Sequence, residues 1–344
     1  MDKSHTLFLG NHSFRFASVM ICVFSSQTAP AFNLAAEQYL LSVSCEDCFM
    51  LWQSRPAVIV GRNQNAWSQV NARFVRENRI PVIRRSSGGG AVYQDMGNVN
   101  FTFIRSTPKN LRTEFRTFLS PVYNFLRKLE IPVRYEGRSD LAINGFKISG
   151  NAQHFRGGKV LHHGTMLFDA DLSMLANALR ISPGKYTDRA VDSVRKKVTN
   201  IRPYLASDLN TADFMQCLMR EIQQACAGRR AEFSGADHEA INALAAGRYR
   251  QWDWNFGHSP AYQFRNTVQT PAGELIIQLN VRAGILQEVR LLGNGLSAGT
   301  LARIETALTG CRHGEEDMAG SLVPFLNHGF LEGVSLSDFL HALF

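Results

Sequence analysis

Three consecutive glycines, Gly88-Gly89-Gly90, stand between two strand-like runs and two serines after a pair of arginines, in the segment Arg84-Arg85-Ser86-Ser87-Gly88-Gly89-Gly90-Ala91-Val92-Tyr93-Gln94-Asp95-Met96-Gly97-Asn98. No other stretch restricts the fold as much. Residues without a Cβ let main chain approach a ligand closely, and their N–H groups can turn toward an anion. The arginines supply charge for the same anion. A glycine-rich turn alone is also the ordinary way to build a tight loop. The segment is not a P-loop, because G-x-x-x-x-G-K-[ST] is absent, and not a dinucleotide fingerprint, because G-x-G-x-x-G is absent.

Around this segment the pattern alternates between strand and helix. Residues 33–41 read as a helix with Asn33 at its N-cap, and residues 69–79 as a polar helix. Leu51-Trp52, 57–60 and 82–84 read as short strands. The alternation Val99, Phe101, Phe103 predicts a half-buried strand. Residues 113–130 place Phe115, Phe118, Leu119, Val122, Phe125, Leu126 and Leu129 on one helical face. Two β-runs flank Asn144-Gly145, a strong hairpin signal that sets Lys147 opposite Phe146 and Ile148. A strand follows at 159–168, then helices near 171–180, 211–227 and 237–249. After a composition change at 255–260 come three strand-like runs (261–268, 274–281, 284–292) and helices near 298–309 and 336–343. No internal repeat or low-complexity tract is present.

A chain of 344 residues, 45% hydrophobic and 19% charged, suits about two packed domains. Its net charge of +8 suits an anionic ligand or an acidic partner. No block of five or more Lys and Arg indicates nucleic acid. Six cysteines without framework spacing fit a reducing cytoplasm. Cys45-x-x-Cys48 lacks the second ligand pair that zinc needs. No run of 18 apolar residues predicts a membrane span. Residues 1–19 lack the apolar core of a signal peptide and read as an extension.

Two further segments carry polar chemistry. One is Gly137-Arg138-Ser139-Asp140-Leu141, followed by Lys147-Ile148-Ser149-Gly150-Asn151-Ala152. The other is Leu161-His162-His163-Gly164-Thr165-Met166-Leu167. A single strand lysine is commonly a solvated face residue. Adjacent histidines on a strand point to opposite faces, so they do not readily share a metal.

In this order and spacing, the segments RRSSGGGAVYQDMGN, GRSDL, KISGNA and HHGTML resemble the lipoate–protein ligase A family, whose pattern is roughly RRxSGGGxVxHDxGN, GRxDL, KxSGxA and HHGTLL. Gly61-Arg62-Asn63-Gln64-Asn65-Ala66-Trp67, the run from Ser193 to Asn200 and Trp252–Gly257 match as well, so the likeness spans about residues 30 to 260. Gln94 departs from the family's His and cannot titrate near neutrality; that position is expected to shape the loop.

The resemblance implies an α+β protein. Residues 30–250 would form a mixed-sheet catalytic domain of the biotin/lipoyl ligase fold, akin to class II synthetases. Residues 258–344 would form a small α+β accessory domain of the bacterial type, and residues 1–29 an extension with an N-terminal strand. It implies ATP-dependent activation of lipoate to lipoyl-AMP, with Mg²⁺ accompanying the triphosphate. Transfer to a carrier lysine follows, on lipoyl domains of 2-oxo acid dehydrogenases or the glycine-cleavage carrier, by a cytoplasmic monomer. Arg85 and the backbone of Gly90, Ala91, Val92 and Tyr93 would hold the nucleotide. Lys147 would bridge lipoyl carbonyl and α-phosphate, and Asp140 would serve the attacking amine. Gly89, Asn98, Ser149, Gly150, Ala152, His163 and Gly164 would line the lipoate site, with Asn98 anchoring the loop. Arg189 and Arg195-Lys196-Lys197 would sit in an adenylate-binding loop. The metal ligands stay unassigned. Alternatives are a lipoyltransferase using preformed lipoyl-AMP, a cysteine-dependent octanoyltransferase, and a non-catalytic lipoyl-domain binder. Against the octanoyltransferase, Ile181-Ser182-Pro183-Gly184 carries no Cys.

Overall fold

The computed structural model describes residues 20–107, 114–180, 183–194, 196–293, 297–328 and 333–344. The extension over residues 1–19, Ile181-Ser182 and Arg195 of the basic run lie outside these. Short apolar and β-branched runs make the first strands: β1 (Ile21–Phe24), β2 (Cys48–Trp52) and β3 (Ala57–Val60). Between the first two runs α1 (Pro30–Val43), which begins with Pro in its first turn. Asn33 is therefore not the N-cap. It lies inside the helix, fully buried, and donates to the carbonyls of Gln27 and Gln53.

The expected polar helix at 69–79 shrinks to α2 (Ala72–Glu77), capped by Asn71, after a separate 3₁₀ turn at Trp67–Gln69. Then follow β4 (Val82–Arg84), β5 (Val92–Gln94), β6 (Asn98–Ser106), α3 (Phe115–Lys128), β7 (Val133–Glu136), β8 (Asp140–Ile143), β9 (Phe146–Arg156) and β10 (Lys159–Leu167). Asn144 (φ 50°) and Gly145 (φ 79°) both adopt the left-handed region, as the two-residue turn joining β8 to β9 demands.

Next come α4 (Leu172–Ala178), β11 (Tyr186–Asp188), α5 (Thr211–Ala225), β12 (Arg229–Ala231) and α6 (Gly235–Leu244). The C-terminal part holds β13 (Tyr262–Thr270), β14 (Gly273–Arg282), β15 (Ile285–Gly293), α7 (Ala298–Leu308), α8 (Glu315–Leu322) and α9 (Leu336–Ala342). The short α8 left no clear periodic signal in the sequence.

The main sheet has the order β12-β1-β2-β6-β10-β9-β8-β7, beside a small sheet β4-β3-β5. One face of the main sheet packs Phe49, Val99, Phe101 and Phe103 against α3 and α5. The other face packs Met50, Trp52, Ile104 and Leu161 against α1 and α6. Central β6 is consequently buried on both faces rather than half-buried: Asn98, Asn100 and Thr102 alternate with the apolar residues yet are at most 1% exposed. The C-terminal strands form a third sheet, β11-β13-β14-β15, which takes β11 from the preceding part of the chain. Its core is continuous with Val58, Val60 and Trp67, and Trp67 donates to the carbonyl of His313.

Candidate active site

The site is built on the α1-facing side of the main sheet. Register places Trp52, Asn100, Thr165, Gly150 and Asp140 side by side across β2, β6, β10, β9 and β8. The neighbouring row holds Met50, Thr102, His163 and Ala152. On β9, Ser149 lies opposite Leu141 and Lys147 opposite Ala142, so Ile148 has no opposite residue. This bulge shifts the alternation by one. Lys147 and Gly150 therefore face the same side, and a Cβ on Gly150 would lie 2.7 Å from Lys147 Nζ. Ile148 is fully buried in the core against α3, as the alternation Phe146/Lys147/Ile148 anticipated.

Lys147 Nζ stands 3.1 Å from Asp140 Oδ1, and Lys196 Nζ stands 2.9 Å from Asp140 Oδ2. Lys196 also reaches Glu136 at 3.0 Å. The hydrogen bonds to Asp140 and then Glu136 raise its pKa. The loop carrying Lys196 is tied to β9 through main chain: Lys147 N–H donates to Lys197 O, and Thr199 N–H donates to Lys147 O.

The glycine-rich loop closes over this floor. Gly89 has φ 86°, and Gly61 packs so closely that a Cβ there would meet Gly89 O at 2.0 Å. The two arginines do not present their charge to an open anion site. Arg84, fully buried, donates to the carbonyls of Gly61, Gln64, Trp254 and Asn255 and to Ser259 Oγ. Arg85, also buried, donates to Gly88 O and Gly90 O at 2.7 Å, to Ile59 O and to Ser87 Oγ. A buried guanidinium must have its N–H groups satisfied, and the local carbonyls do so. Burial pushes both down to about 10; for Arg85 the nearby Glu37 charge opposes that. Arg85 still borders the smaller of the two cavities described below, but its main contact is with the loop it braces.

Ala91 N–H, one of the expected phosphate-facing amides, donates to Ser193 Oγ at 2.9 Å. Ser193 in turn donates to Gln69 Oε1 at 2.6 Å. Tyr93 is 2% exposed, with its ring in the core shared with the C-terminal sheet. Asn98 anchors the loop end: it accepts from Asp95 N–H and donates to Thr165 Oγ1. Ser149 is buried beside Asn151, which donates to its Oγ.

The two histidines diverge. His163 Nδ1 donates to Glu37, 3.0 Å from both carboxylate oxygens, and its Nε2 accepts from Ser87 Oγ at 2.6 Å. Thr102 Oγ1 donates to the same carboxylate at 2.5 Å. His162, on the other face, stacks on Phe118 at 4.9 Å, and burial depresses its pKa to about 3. Gly164 faces that side too. A Cβ there would lie 1.9 Å from Asn151 Oδ1 and 2.5 Å from Phe101 Cζ, so Gly164 contributes only main chain to the site.

Two cavities meet over the sheet. One, about 430 Å³, runs from Lys147, Asp140 and Gly150 past Ala152, His163 and Gly89 to Leu34, Trp52, Ile59 and Gln94. The other, about 690 Å³, is bordered by Gln69, Tyr93, Leu172, Leu175, Leu179 and Tyr186. Lys147, Gly150, Ala91, Val92, Ser193, Val194 and Lys196 border both. Glu37 and Trp52 carry no local motif in the sequence, and Ser87, Thr165 and Ser193 lie in the quoted segments without an assigned role; strand register and loop closure bring all five here.

Two cavities that share a lysine as a common wall, set on a mixed sheet under a glycine-rich loop, give a site with room for two ligands that meet at that lysine. The chain matches the family model "Lipoyl protein ligase A/B catalytic domain" over residues 29–223 and "Bacterial lipoate protein ligase C-terminus" over residues 259–343. It is 32% identical to the lipoate-protein ligase LplJ of Bacillus subtilis, over 92% of this chain and 97% of that one. It is 34% identical to lipoate–protein ligase 1 of Staphylococcus aureus, over 88% and 93%. The solved bipartite lipoate protein ligase of Thermoplasma acidophilum shares the fold, with TM-score 0.60 at 24% identity, over 70% of this chain and 96% of that one. The chain belongs to the lipoate–protein ligase family.

Proposed function

We infer that this enzyme activates lipoate with ATP and transfers the lipoyl group to a carrier lysine, and that Lys147 serves both steps. The observation that carries this reading is the pair of cavities sharing Lys147 as a common wall. The chamber lined by Leu34, Trp52 and Ile59 suits the apolar tail of lipoate, and the larger one suits the nucleotide. A lipoate carboxylate oxygen attacks the α-phosphorus, the bond to pyrophosphate breaks, and lipoyl-AMP forms. The carrier amine then attacks the lipoyl carbonyl carbon and AMP leaves. A fixed ammonium at Lys147 stabilises the charge that develops in both steps.

Asp140 orients that ammonium and accepts a hydrogen bond or proton from the incoming amine; an Asp140→Asn variant with an unchanged transfer rate would remove this second role. Gly90, Ala91, Val92 and Tyr93 offer main chain to the nucleotide once Ser193 releases Ala91, while Arg85 holds the loop in shape. His163, Gly89 and Ala152 border the lipoyl chain. Among the described residues no three His, Cys, Asp or Glu side chains gather into a metal cage. Mg²⁺ would thus arrive on the triphosphate oxygens, and no step here runs through it.

We read residues 30–250 as the catalytic unit and 258–344 as an accessory unit. The carrier is a lipoyl domain of a 2-oxo acid dehydrogenase or the glycine-cleavage carrier; the Thermoplasma ligase is described with its E2 lipoyl domain. No helix among the described residues is long and apolar enough to cross a membrane; action as a cytoplasmic monomer is part of the proposal. The cysteine-dependent alternative finds no support, since no cysteine among the described residues borders either cavity.

Lipoate-dependent ATP–pyrophosphate exchange tests the reading. Exchange by the wild type that collapses in Lys147→Ala is expected. Absence of exchange, with transfer from supplied lipoyl-AMP intact, would make the protein a lipoyltransferase instead.

A further inference from the structure

The row of residues across the floor of the site does not stop at Asp140. Register places Glu136 of β7 opposite Asp140, and β7 ends the strand order of the main sheet. Directly opposed residues share a face. Glu136 therefore stands on the same side as Asp140, at the outer rim, with 37% of its side chain exposed. The two carboxylates hold one ammonium between them: Lys196 Nζ lies 2.9 Å from Asp140 Oδ2 and 3.0 Å from Glu136 Oε1. The other oxygen of Asp140 meets Lys147 Nζ at 3.1 Å. One carboxylate thus carries two ammonium groups. Lys147 has its place in the chemistry above, and Lys196 has none in it.

The transfer step requires another lysine at this point. The carrier's ε-amine must come within bonding reach of a carbonyl held at Lys147, and it arrives as an ammonium, because a solvated lysine is protonated near neutrality. An ammonium has three N–H donors and suits two flanking carboxylates. Lys196 marks where such a group fits. It comes from a loop and its side chain is 32% exposed, so it can swing outward. A carrier ammonium that takes its place leaves neither carboxylate unpaired. While Lys196 stays, its hydrogen bonds to Asp140 and Glu136 keep it protonated, and an ammonium has no lone pair with which to take the acyl group itself. Resting on the transfer reaction proposed above, we propose that Glu136 and Asp140 form the cradle that receives the carrier's lysine over the β7 edge, with Lys196 as its placeholder. Glu136 is thereby a binding residue for the second substrate. The exchange of one ammonium for the other makes and breaks no covalent bond.

The test supplies saturating lipoyl-AMP to the full chain, with a lipoyl domain of a 2-oxo acid dehydrogenase as acceptor. Glu136→Gln keeps the shape of the side chain and removes its charge. It is expected to raise KM for the lipoyl domain about fivefold, the effect of one partly exposed ion pair. The loss is expected with the lipoyl domain and not with hydroxylamine, a nucleophile that is uncharged at neutral pH and has no use for an ammonium cradle. The same fivefold rise is expected when Glu136→Gln is added to Lys196→Met, since the carrier's ammonium still meets Glu136 there. A Glu136 that only anchored Lys196 would have no further effect in that background. An unchanged KM in either background, or an equal loss with hydroxylamine, overturns the assignment. A wild type that passes nothing from lipoyl-AMP to the lipoyl domain overturns the transfer reaction itself, and the cradle with it.

Discussion

Gly150→Ala isolates the placement of Lys147 from its chemistry. A Cβ at position 150 would lie 2.7 Å from Nζ and 2.8 Å from Cε of Lys147, whereas ordinary contact begins at 3.4 Å. The amine must retreat by roughly 0.7 Å, a difference taken from those two distances. The side chain is flexible and partly exposed, so it can move at little expense to the fold, within about 1 kcal/mol. Catalysis is less forgiving, because a displacement near 1 Å costs on the order of 100-fold when a charge must meet a developing charge. The expected result is an unchanged melting temperature with a 10- to 100-fold fall in kcat for pyrophosphate exchange. KM for lipoate should change less, because the tail sits elsewhere in the cavity. A normally folded Gly150→Ala enzyme with wild-type kcat would refute the idea that bulged β9 holds Lys147 in one working position.

Gly164→Ala should act on stability instead: its Cβ would press Asn151 Oδ1 at 1.9 Å and the Phe101 ring at 2.5 Å, a loss of about 2–3 kcal/mol in chemical denaturation. A variant as stable as wild type would mean that this packing relaxes freely. Ser193→Ala should free Ala91 N–H for the nucleotide and lower the KM for ATP about threefold to fivefold; a raised KM would show that Ser193 helps to bind it. Stability should fall in mild acid through two buried histidines, His162 and His313, held down to about 3 and about 4 by burial. In the unfolded chain each titrates near 6.5, so the unfolded state binds more protons below that pH. Stability is then complete above about 6.5 and is lost as pH falls toward 4, at up to ~1.4 kcal/mol per pH unit for each group. His162→Phe should flatten that slope in denaturant melts taken across pH 4 to 7; an unaltered slope would exonerate His162.

Local chemistry in the sequence determined a good deal. Asn144-Gly145 can take left-handed φ at both positions, and the turn formed where those residues stand. The stripe Phe118, Leu119, Val122, Phe125 and Leu126 makes α3 amphipathic at any location, and it is buried along that stripe. The glycine-rich segment, Lys147 and Asp140 stood out as one candidate group only through the family resemblance of the segments that carry them, since by residue type alone each reads equally well as a tight loop or a solvated strand face. Tertiary structure decided what depended on partners distant in the chain. Asn98, Asn100 and Thr102 look like the solvent side of a strand, and they became a buried floor only because α1 covers that face. The two arginines could serve phosphate or carbonyl equally well by chemistry; closure of the loop around them supplied carbonyls at hydrogen-bond distance and decided it. Glu37 carries no local signal for its role, because the strand holding His163 reaches it only after the sheet has assembled. A side chain's own propensities act within a few residues, whereas burial and pairing depend on what the rest of the fold places opposite, and that is not written in any local stretch.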